Sequence, residues 1–334
     1  MTTTLIASTF ITKNRPDKDH QAAAETRPAR RFCAVDSLAM GDPLVGSAAH
    51  AERNLLISWP RPKWQRSLRR ASDMPDDVAT QLEAIAEAGR RVNLIHRRGE
   101  DAELHRLFLM PEQREYRVTR DELAAFLAAF SRGDSLAAWG GDAVPLPMIL
   151  CCTHGKKDKC CAKFGYQSYR ALADAVARDD LPFDVWESTH LGGCRLATSA
   201  LVLPALRKYG RLNPDDVPGL LAAEQDGRPY LPCYRGDSRL TPVAQCAQVA
   251  ALEWLAARGL HARVWVDDAL EPSGGPRLTL PVRWQAGEQV GRLMVSCLES
   301  ELIRHDTCAD YERDGAQPSR VWRATHIACH PPFI

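Results

Sequence analysis

The segment VPLPMILCC, residues 144–152, is a continuous apolar run that ends in two cysteines. A run of this kind is typical of a strand that is buried on both faces of a sheet. A polar loop, CTHGKKDKCC at 152–161, comes next, and the helical stretch QSYRALADAVA follows at 167–177. The apolar segment FDVWES at 183–188 then predicts a neighbouring strand. This strand–loop–helix–strand order predicts an α/β domain with a parallel pair of strands at its centre.

Ligand-type side chains stand at the carboxyl ends of both predicted strands. Cys152 and Cys161 are spaced C-x8-C, and His190 and Cys194 are spaced H-x3-C with two glycines between them. Loops and helix N-termini converge at this edge of an α/β sheet, so the two pairs are expected to meet there. Thiolate and imidazole bind zinc and iron–sulfur clusters alike. The spacing alone therefore leaves both metals open.

The two cysteine doublets predict a division of roles. Side chains alternate across a strand, so Cys151 and Cys152 face opposite sides, one toward the loop and one toward the core. We expect the same division for Cys160 and Cys161. The other cysteines are predicted to be small core residues: Cys33, Cys233, Cys246, Cys297, Cys308 and Cys329.

Composition limits the classes of partner. The 334 residues are 45% hydrophobic and 25% charged, with a net charge of +1. This near-neutral balance predicts no nucleic-acid partner and no attraction to an anionic membrane. No apolar run approaches the roughly 20 residues of a spanning helix. Eleven cysteines, an odd number, favour a reducing compartment over a disulfide scaffold, so we expect a cytoplasmic protein.

Pattern and composition divide the chain into four parts. Residues 1–31 are predicted to be a disordered extension, 32–142 an α/β unit, 143–270 the ligand-bearing domain and 271–334 a β-rich segment. No internal repeat is evident. Hydrophobic periodicity predicts strands at 53–59, 92–97 and 105–110, and helices at 76–89, 214–224 and 242–258.

Several motifs together resemble the sucrase/ferredoxin-like family, over residues from about 47 to 260. The matching segments are CTHGKKDKCC, VWESTHLGGC, LVLPALRKYGRL, GDPLVGSAAHAERNLLI and YRGDSRLTPVAQCAQVA. The resemblance implies a thioredoxin-like ferredoxin domain that carries a [2Fe–2S] cluster. The family's ligands are two cysteines and an H-x3-H pair, which correspond here to Cys152, Cys161 and His190. The fourth position is Cys194, where the family has histidine, so the implied ligand set is Cys3His.

Three functions remain as hypotheses. The first is an electron carrier rather than an enzyme, with one [2Fe–2S] cluster on the thioredoxin-like domain, preceded by an α/β unit and followed by a β-rich segment. The second is a non-redox protein with a structural zinc at the same four residues. The third is a thiol-dependent redox enzyme that uses the cysteine doublets. No hydrolase motif accompanies these residues.

The first ligand loop is rich in lysine, with Asp158 as its one acid. A basic loop beside a redox centre predicts a docking patch for an acidic redox partner protein. The residues of this patch are Lys156, Lys157, Lys159 and Lys163. His154 follows Cys152 closely, and we expect it to structure the loop rather than to bind metal.

Overall fold

The central strands consist of consecutive apolar residues because both faces of their sheet are buried against other elements. The computed structural model describes residues 31–267 and 275–330. The predicted extension at 1–31 lies outside the described residues, apart from Arg31. In the strand Met148–Cys152 every residue is buried, as the run VPLPMILCC predicts.

The described residues contain six α-helices and fourteen strands, and the nine elements whose bounds the sequence predicts lie close to their predicted positions. The helices are α1 Cys33–Ala39, α2 Asp76–Glu87, α3 Leu123–Arg132, α4 Tyr166–Arg178, α5 Val217–Gln225 and α6 Pro242–Ala256. The first ten strands are β1 Asn54–Ser58, β2 Arg91–His96, β3 Leu104–Met110, β4 Arg114–Thr119, β5 Asp142–Ala143, β6 Met148–Cys152, β7 Asp184–Ser188, β8 Ala200–Leu203, β9 Arg207–Tyr209 and β10 Tyr234–Asp237. The last four are β11 Arg263–Val266, β12 Arg277–Ala286, β13 Gln289–Arg304 and β14 Gln317–His330.

The first ten strands form one sheet, in the order β10-β9-β8-β6-β7-β2-β1-β3-β4-β5. Strands β6 and β7 are parallel and are joined through α4, while β8 and β9 add antiparallel strands on the other side of β6. This is the thioredoxin-like arrangement, and the α/β fold class is confirmed. We refer to β6–β9 as the second half-sheet.

The strands β1–β4, which we call the first half-sheet, repeat the same topology. Strands β1 and β2 are parallel and joined through α2, and β3 and β4 continue the sheet antiparallel to them. The half-sheets meet where β2 and β7 pair antiparallel over a short contact, Ile95 with Ser188 and His96 with Glu187. The fold thus contains a repeat of topology that the sequence does not reveal.

Each face of the ten-stranded sheet has its own cover. One face packs against α2 and α3 in the first half-sheet and against α4 and α5 in the second. The other face is shared by both half-sheets and packs against α1 and the turn at Cys308–Tyr311. Alternation along β6 follows the prediction, since Cys151 lies on the α4 side and Cys152 on the shared face.

The C-terminal strands form a second sheet, in the order β11-β12-β13-β14, which packs against α6. The central sheet runs across residues 142 and 143, and β11, which precedes residue 271, pairs with β12, which follows it. The predicted domain boundaries at these positions stay predictions. Among the described helices, none combines the length and the apolar character that crossing a membrane requires.

Candidate metal centre

The parallel strands β6 and β7 bring the two ligand-type pairs to one edge of the sheet. Their register places Cys152, the last residue of β6, opposite Ser188, the last residue of β7. Cys161 opens the helical turn that leads into α4, and His190 and Cys194 lie on the loop after β7. The four residues that the sequence singled out therefore meet at the carboxyl edge, as expected from the βαβ topology.

The donor atoms of these residues are close to one another. The ligand atoms of Cys152, Cys161 and His190 all lie within 4.8 Å of each other. The sulfur of Cys194 lies 3.3 Å from Nδ1 of His190. The three cysteines are buried, while His190 is partly exposed. The group is thus a Cys3His pocket with its imidazole toward the surface.

Glycines allow the backbone to close around this pocket. Gly192 and Gly193 have φ of +95° and +80°, so the loop can turn back between His190 and Cys194. On the other loop, a Cβ at Gly165 would lie 2.0 Å from the carbonyl oxygen of Cys152. Only glycine lets the turn that begins at Cys161 pack this closely on the end of β6.

Hydrogen bonds among the four side chains favour the thiolate forms of Cys152 and Cys194, and thiolates are the form that binds a metal. Hydrogen bonding from Cys161 lowers the pKa of Cys152 well below its usual value against the effect of burial, and His190 adds to this. The pKa of Cys194 is lowered through the same two partners. Burial alone would lower the pKa of His190, but its bonds to Cys152 and Cys194 raise it to about 9. Metal binding must displace the protons that remain on Cys161 and His190.

Two buried cations, Lys208 and Arg235, and the half-buried Arg91 hold the loop that carries His190 and Cys194. Arg91 donates to the carbonyl of His190 at 2.7 Å, Lys208 to that of Leu191 at 3.1 Å, and Arg235 to that of Gly192 at 3.0 Å. Among the described residues, none of these three cations forms a salt bridge with a carboxylate. Burial, the largest cause, lowers the pKa of Lys208 well below its usual value, and the two arginines add to the effect. Such a group of cations is costly to bury unless an anionic centre lies nearby.

His154 structures the loop, as the sequence analysis expected. Its Nε2 bonds the carbonyl of Gln65 at 2.6 Å, and its Nδ1 accepts from the backbone N–H of His190 at 3.3 Å. Both ring nitrogens are therefore occupied. The imidazole links the first half-sheet's loop to the ligand loop.

The structure adds to or corrects the sequence analysis at four further residues. Asp158, the one acid of the first ligand loop, is buried, and it accepts hydrogen bonds from the backbone N–H groups of Cys160 and Cys308. Cys33 and Cys308 are buried as predicted, but their sulfurs contact that of Cys160 instead of packing singly. Cys329 is exposed, so its prediction as a core residue was wrong. Because residues 33 and 308 lie far apart in sequence, no local spacing could have grouped them.

Comparison with known proteins agrees with this geometry. The family model for sucrase/ferredoxin-like proteins matches residues 44–236, which include the ligand pocket and both half-sheets. The chain belongs to the sucrase/ferredoxin-like family. A search of curated proteins gave no match.

Solved structures of a thioredoxin-like [2Fe-2S] ferredoxin from Aquifex aeolicus are similar to part of this sucrase/ferredoxin-like protein. One has 14% identity and a TM-score of 0.25, and it covers 27% of this chain and 89% of the ferredoxin. The wild-type ferredoxin at 1.5 Å resolution has 14% identity and a TM-score of 0.24, with 27% and 95% covered.

The donor set suits an iron–sulfur cluster. Cysteine thiolates and histidine are both established ligands of two-iron clusters. Three thiolates would give such a centre a net negative charge, which matches the surrounding cations. The residues that would hold it are Cys152, Cys161, His190 and Cys194.

Proposed function

We propose that this protein is a one-electron carrier with a single [2Fe–2S] cluster bound by Cys152, Cys161, His190 and Cys194. The observation that carries the proposal is the Cys3His pocket at the carboxyl edge of β6 and β7, bordered by buried cations that lack carboxylate partners among the described residues. Family membership supports it independently. When bound, a [2Fe–2S] cluster supplies a single-electron acceptor whose potential depends on ligand charge and burial.

The chain's own residues tune and protect the pocket. Cys152, Cys161 and Cys194 are buried, which keeps water from the thiolates, whereas His190 is partly exposed. An electron would therefore pass most easily on the His190 side. Arg91, which donates to the carbonyl of His190, lies on the same side and places positive charge there.

The matched pair Cys151 and Cys152 gives a sharp test. The two thiols are neighbours on β6 but lie on opposite faces of the sheet. Anaerobically purified protein should be red-brown, contain iron and sulfide in equal amounts and show an EPR signal when reduced. Cys152→Ser should abolish the colour and the EPR signal, while Cys151→Ser should retain both.

Two outcomes would contradict the proposal. Colour that persists in Cys152→Ser would show that the cluster lies elsewhere. Colourless wild-type protein whose zinc is lost in Cys152→Ser would favour the structural-zinc hypothesis for this pocket.

We further propose that an acidic redox partner docks beside the first ligand loop. Lys156 and Lys163 are exposed there, and Lys157 and Lys159 are half-buried. Attraction between such a patch and an acidic protein speeds association and weakens with salt. Electron transfer to a small acidic redox protein should slow several-fold in the double variant Lys156→Glu, Lys163→Glu, and equal rates at low salt would count against this patch.

A further inference from the structure

A second group of ligand-type side chains lies beneath the first ligand loop. Its members are Cys33 on α1, Asp158 and Cys160 on the loop, and Cys308 in the turn after β13. Their ligand atoms all lie within 4.8 Å of one another, and all four residues are buried. The sulfurs are 3.3 Å apart between Cys160 and Cys308, 3.5 Å between Cys308 and Cys33, and 3.6 Å between Cys33 and Cys160.

Ordinary core packing does not account for this group. Cys297 in the second sheet shows the usual environment, since it lies in an apolar cluster with leucine and valine. Here three sulfurs contact each other and also face a carboxylate, with Oδ2 of Asp158 lying 3.9 Å from the sulfur of Cys33. Asp158 is 3% exposed, and among the described residues no Lys, Arg or His forms a salt bridge with it. Three sulfurs and a carboxylate oxygen that converge in this way form the donor set of a metal site.

A disulfide does not account for the group either. The sulfur–sulfur distances exceed the roughly 2.05 Å of a disulfide bond by more than an ångström. Pairing any two of the three cysteines would also leave the third thiol beside a buried carboxylate that forms no salt bridge among the described residues. The arrangement is instead that of a four-donor site.

We propose that Cys33, Asp158, Cys160 and Cys308 bind a structural zinc ion, separate from the Cys3His pocket. Zinc takes four ligands in a tetrahedron, and Zn–S bonds of about 2.3 Å place the sulfurs about 3.8 Å apart. The three sulfurs would need to separate by only a few tenths of an ångström. Each thiol releases its proton to solvent as it binds the ion.

The carboxylate is already oriented for this role. Oδ1 of Asp158 accepts from the backbone N–H of Cys160 at 2.8 Å, and Oδ2 accepts from that of Cys308 at 2.7 Å. Both donors belong to residues that supply sulfur to the same site, so the ligands hold one another in position.

The zinc ion would connect three distant parts of the chain. Cys33 and Cys308 are 275 residues apart in sequence, and Cys160 is the neighbour of Cys161 in the first pocket. The ion would thus fasten α1 and the C-terminal turn beneath the loop that delivers Cys161. The inference does not depend on the iron–sulfur proposal, because the two groups share no residue.

Metal analysis of the full-length protein, grown with both zinc and iron, tests the inference. We expect one zinc per chain in the wild type. Cys33→Ala and Cys308→Ala should each lose at least ten-fold in zinc content, whereas Cys152→Ser should keep its zinc. Cys297→Ala, which removes a buried thiol outside both groups, is the matched control and should keep both metals.

X-ray absorption at the zinc edge keeps the test decisive where an alanine variant misfolds. The wild-type spectrum should show three sulfur neighbours at about 2.3 Å and one oxygen. Wild-type protein that contains iron but no zinc overturns the inference. Zinc that remains in both alanine variants, or that disappears in Cys152→Ser alone, overturns it as well.

Discussion

The two half-sheets share one topology but differ in the residues at the carboxyl ends of their parallel strands. The equivalent strands β1 and β6 end at Ser58 and Cys152. Ser58 accepts a hydrogen bond from the backbone N–H of Arg106 at 2.7 Å, and its carbonyl bonds His105 at 2.6 Å. In the second half-sheet the same position supplies a thiol to the Cys3His pocket.

The edge of the first half-sheet is closed by aromatic packing. Trp59, the residue after β1, stacks on His105 with ring centroids 4.3 Å apart and donates its indole N–H to Asp73. Among the described residues, no cluster of metal-donor side chains lies at this edge. The comparison shows that the topology brings loops together at the carboxyl edge of the sheet. The residues of those loops determine whether the edge can bind a metal.

The first half-sheet nevertheless supports the Cys3His pocket. Because β2 and β7 are antiparallel, the beginning of β2 lies beside the loop that follows β7. Asn93, which is fully buried, donates to the side-chain oxygen of Thr189 at 3.0 Å and to the carbonyl of His190 at 3.2 Å. One half-sheet thus holds the ligand loop of the other in place.

We expect the largest effect, on both stability and metal retention, from Asn93→Leu, which roughly keeps the size of the side chain. It removes the three hydrogen bonds that Asn93 donates to Thr189 and to the carbonyl of His190, at a cost of about 3 kcal/mol in the free energy of unfolding. Loss of such a supporting contact typically weakens metal binding about 10-fold to 100-fold. Chemical denaturation and the rate of metal loss to a chelator measure the two effects.

Ser58→Ala is the control at the equivalent strand end. It removes the acceptor for the backbone N–H of Arg106 and should lower the free energy of unfolding by about 1 kcal/mol. Metal retention should be unchanged. Equally fast metal loss from Asn93→Leu and Ser58→Ala would show that the contact of Asn93 with the ligand loop has no special role in metal retention.

Much of the second half-sheet could be predicted from its sequence. The apolar run before Cys152, the helical stretch after Cys161 and the segment before Ser188 each encode their element locally. The parallel pairing then follows from the βαβ rule, and it brings the two ligand pairs together. Local signals and one topological rule are sufficient there.

The rest depends on contacts that local patterns do not encode. Lys208 lies between polar and aromatic residues in a short strand, and nothing in RKYGR distinguishes it from a surface lysine. Its burial follows from the loop that covers it, which is delivered by a different strand. The contact between Cys33 and Cys308 also arises from long-range packing. The repeated topology does so as well.

A second, smaller effect is expected from Cys194→His, which restores the family's ligand pattern. A neutral imidazole replaces a thiolate, so less negative charge opposes the added electron. We expect the cluster to remain and its reduction potential to rise by on the order of 100 mV, measured by protein-film voltammetry. An unchanged or lower potential would refute the charge argument, and Cys151→Ser, on the opposite face, should leave the potential unaltered.

The smallest effect is expected from Lys208→Met, which removes a charge without removing bulk. Over a separation on the order of 10 Å and at an effective dielectric constant of about 20, a unit charge contributes about 1.7 kcal/mol. This equals about 70 mV for one electron, so the potential of the variant should fall by that order, opposite in sign to Cys194→His.

The same substitution should change how the metal-free protein responds to pH. Burial lowers the pKa of Lys208 well below its usual value, so the unfolded chain binds this proton more tightly than the folded one. The free energy of unfolding therefore rises with pH between the folded and the unfolded pKa of this lysine. Below the folded value both states hold the proton, so this contribution no longer changes with pH. Lys208→Met should flatten this part of the pH profile and stabilise the metal-free protein at neutral pH, as measured by denaturation across pH. A variant that is less stable at neutral pH would show that the bond to the carbonyl of Leu191 outweighs the cost of burying the charge.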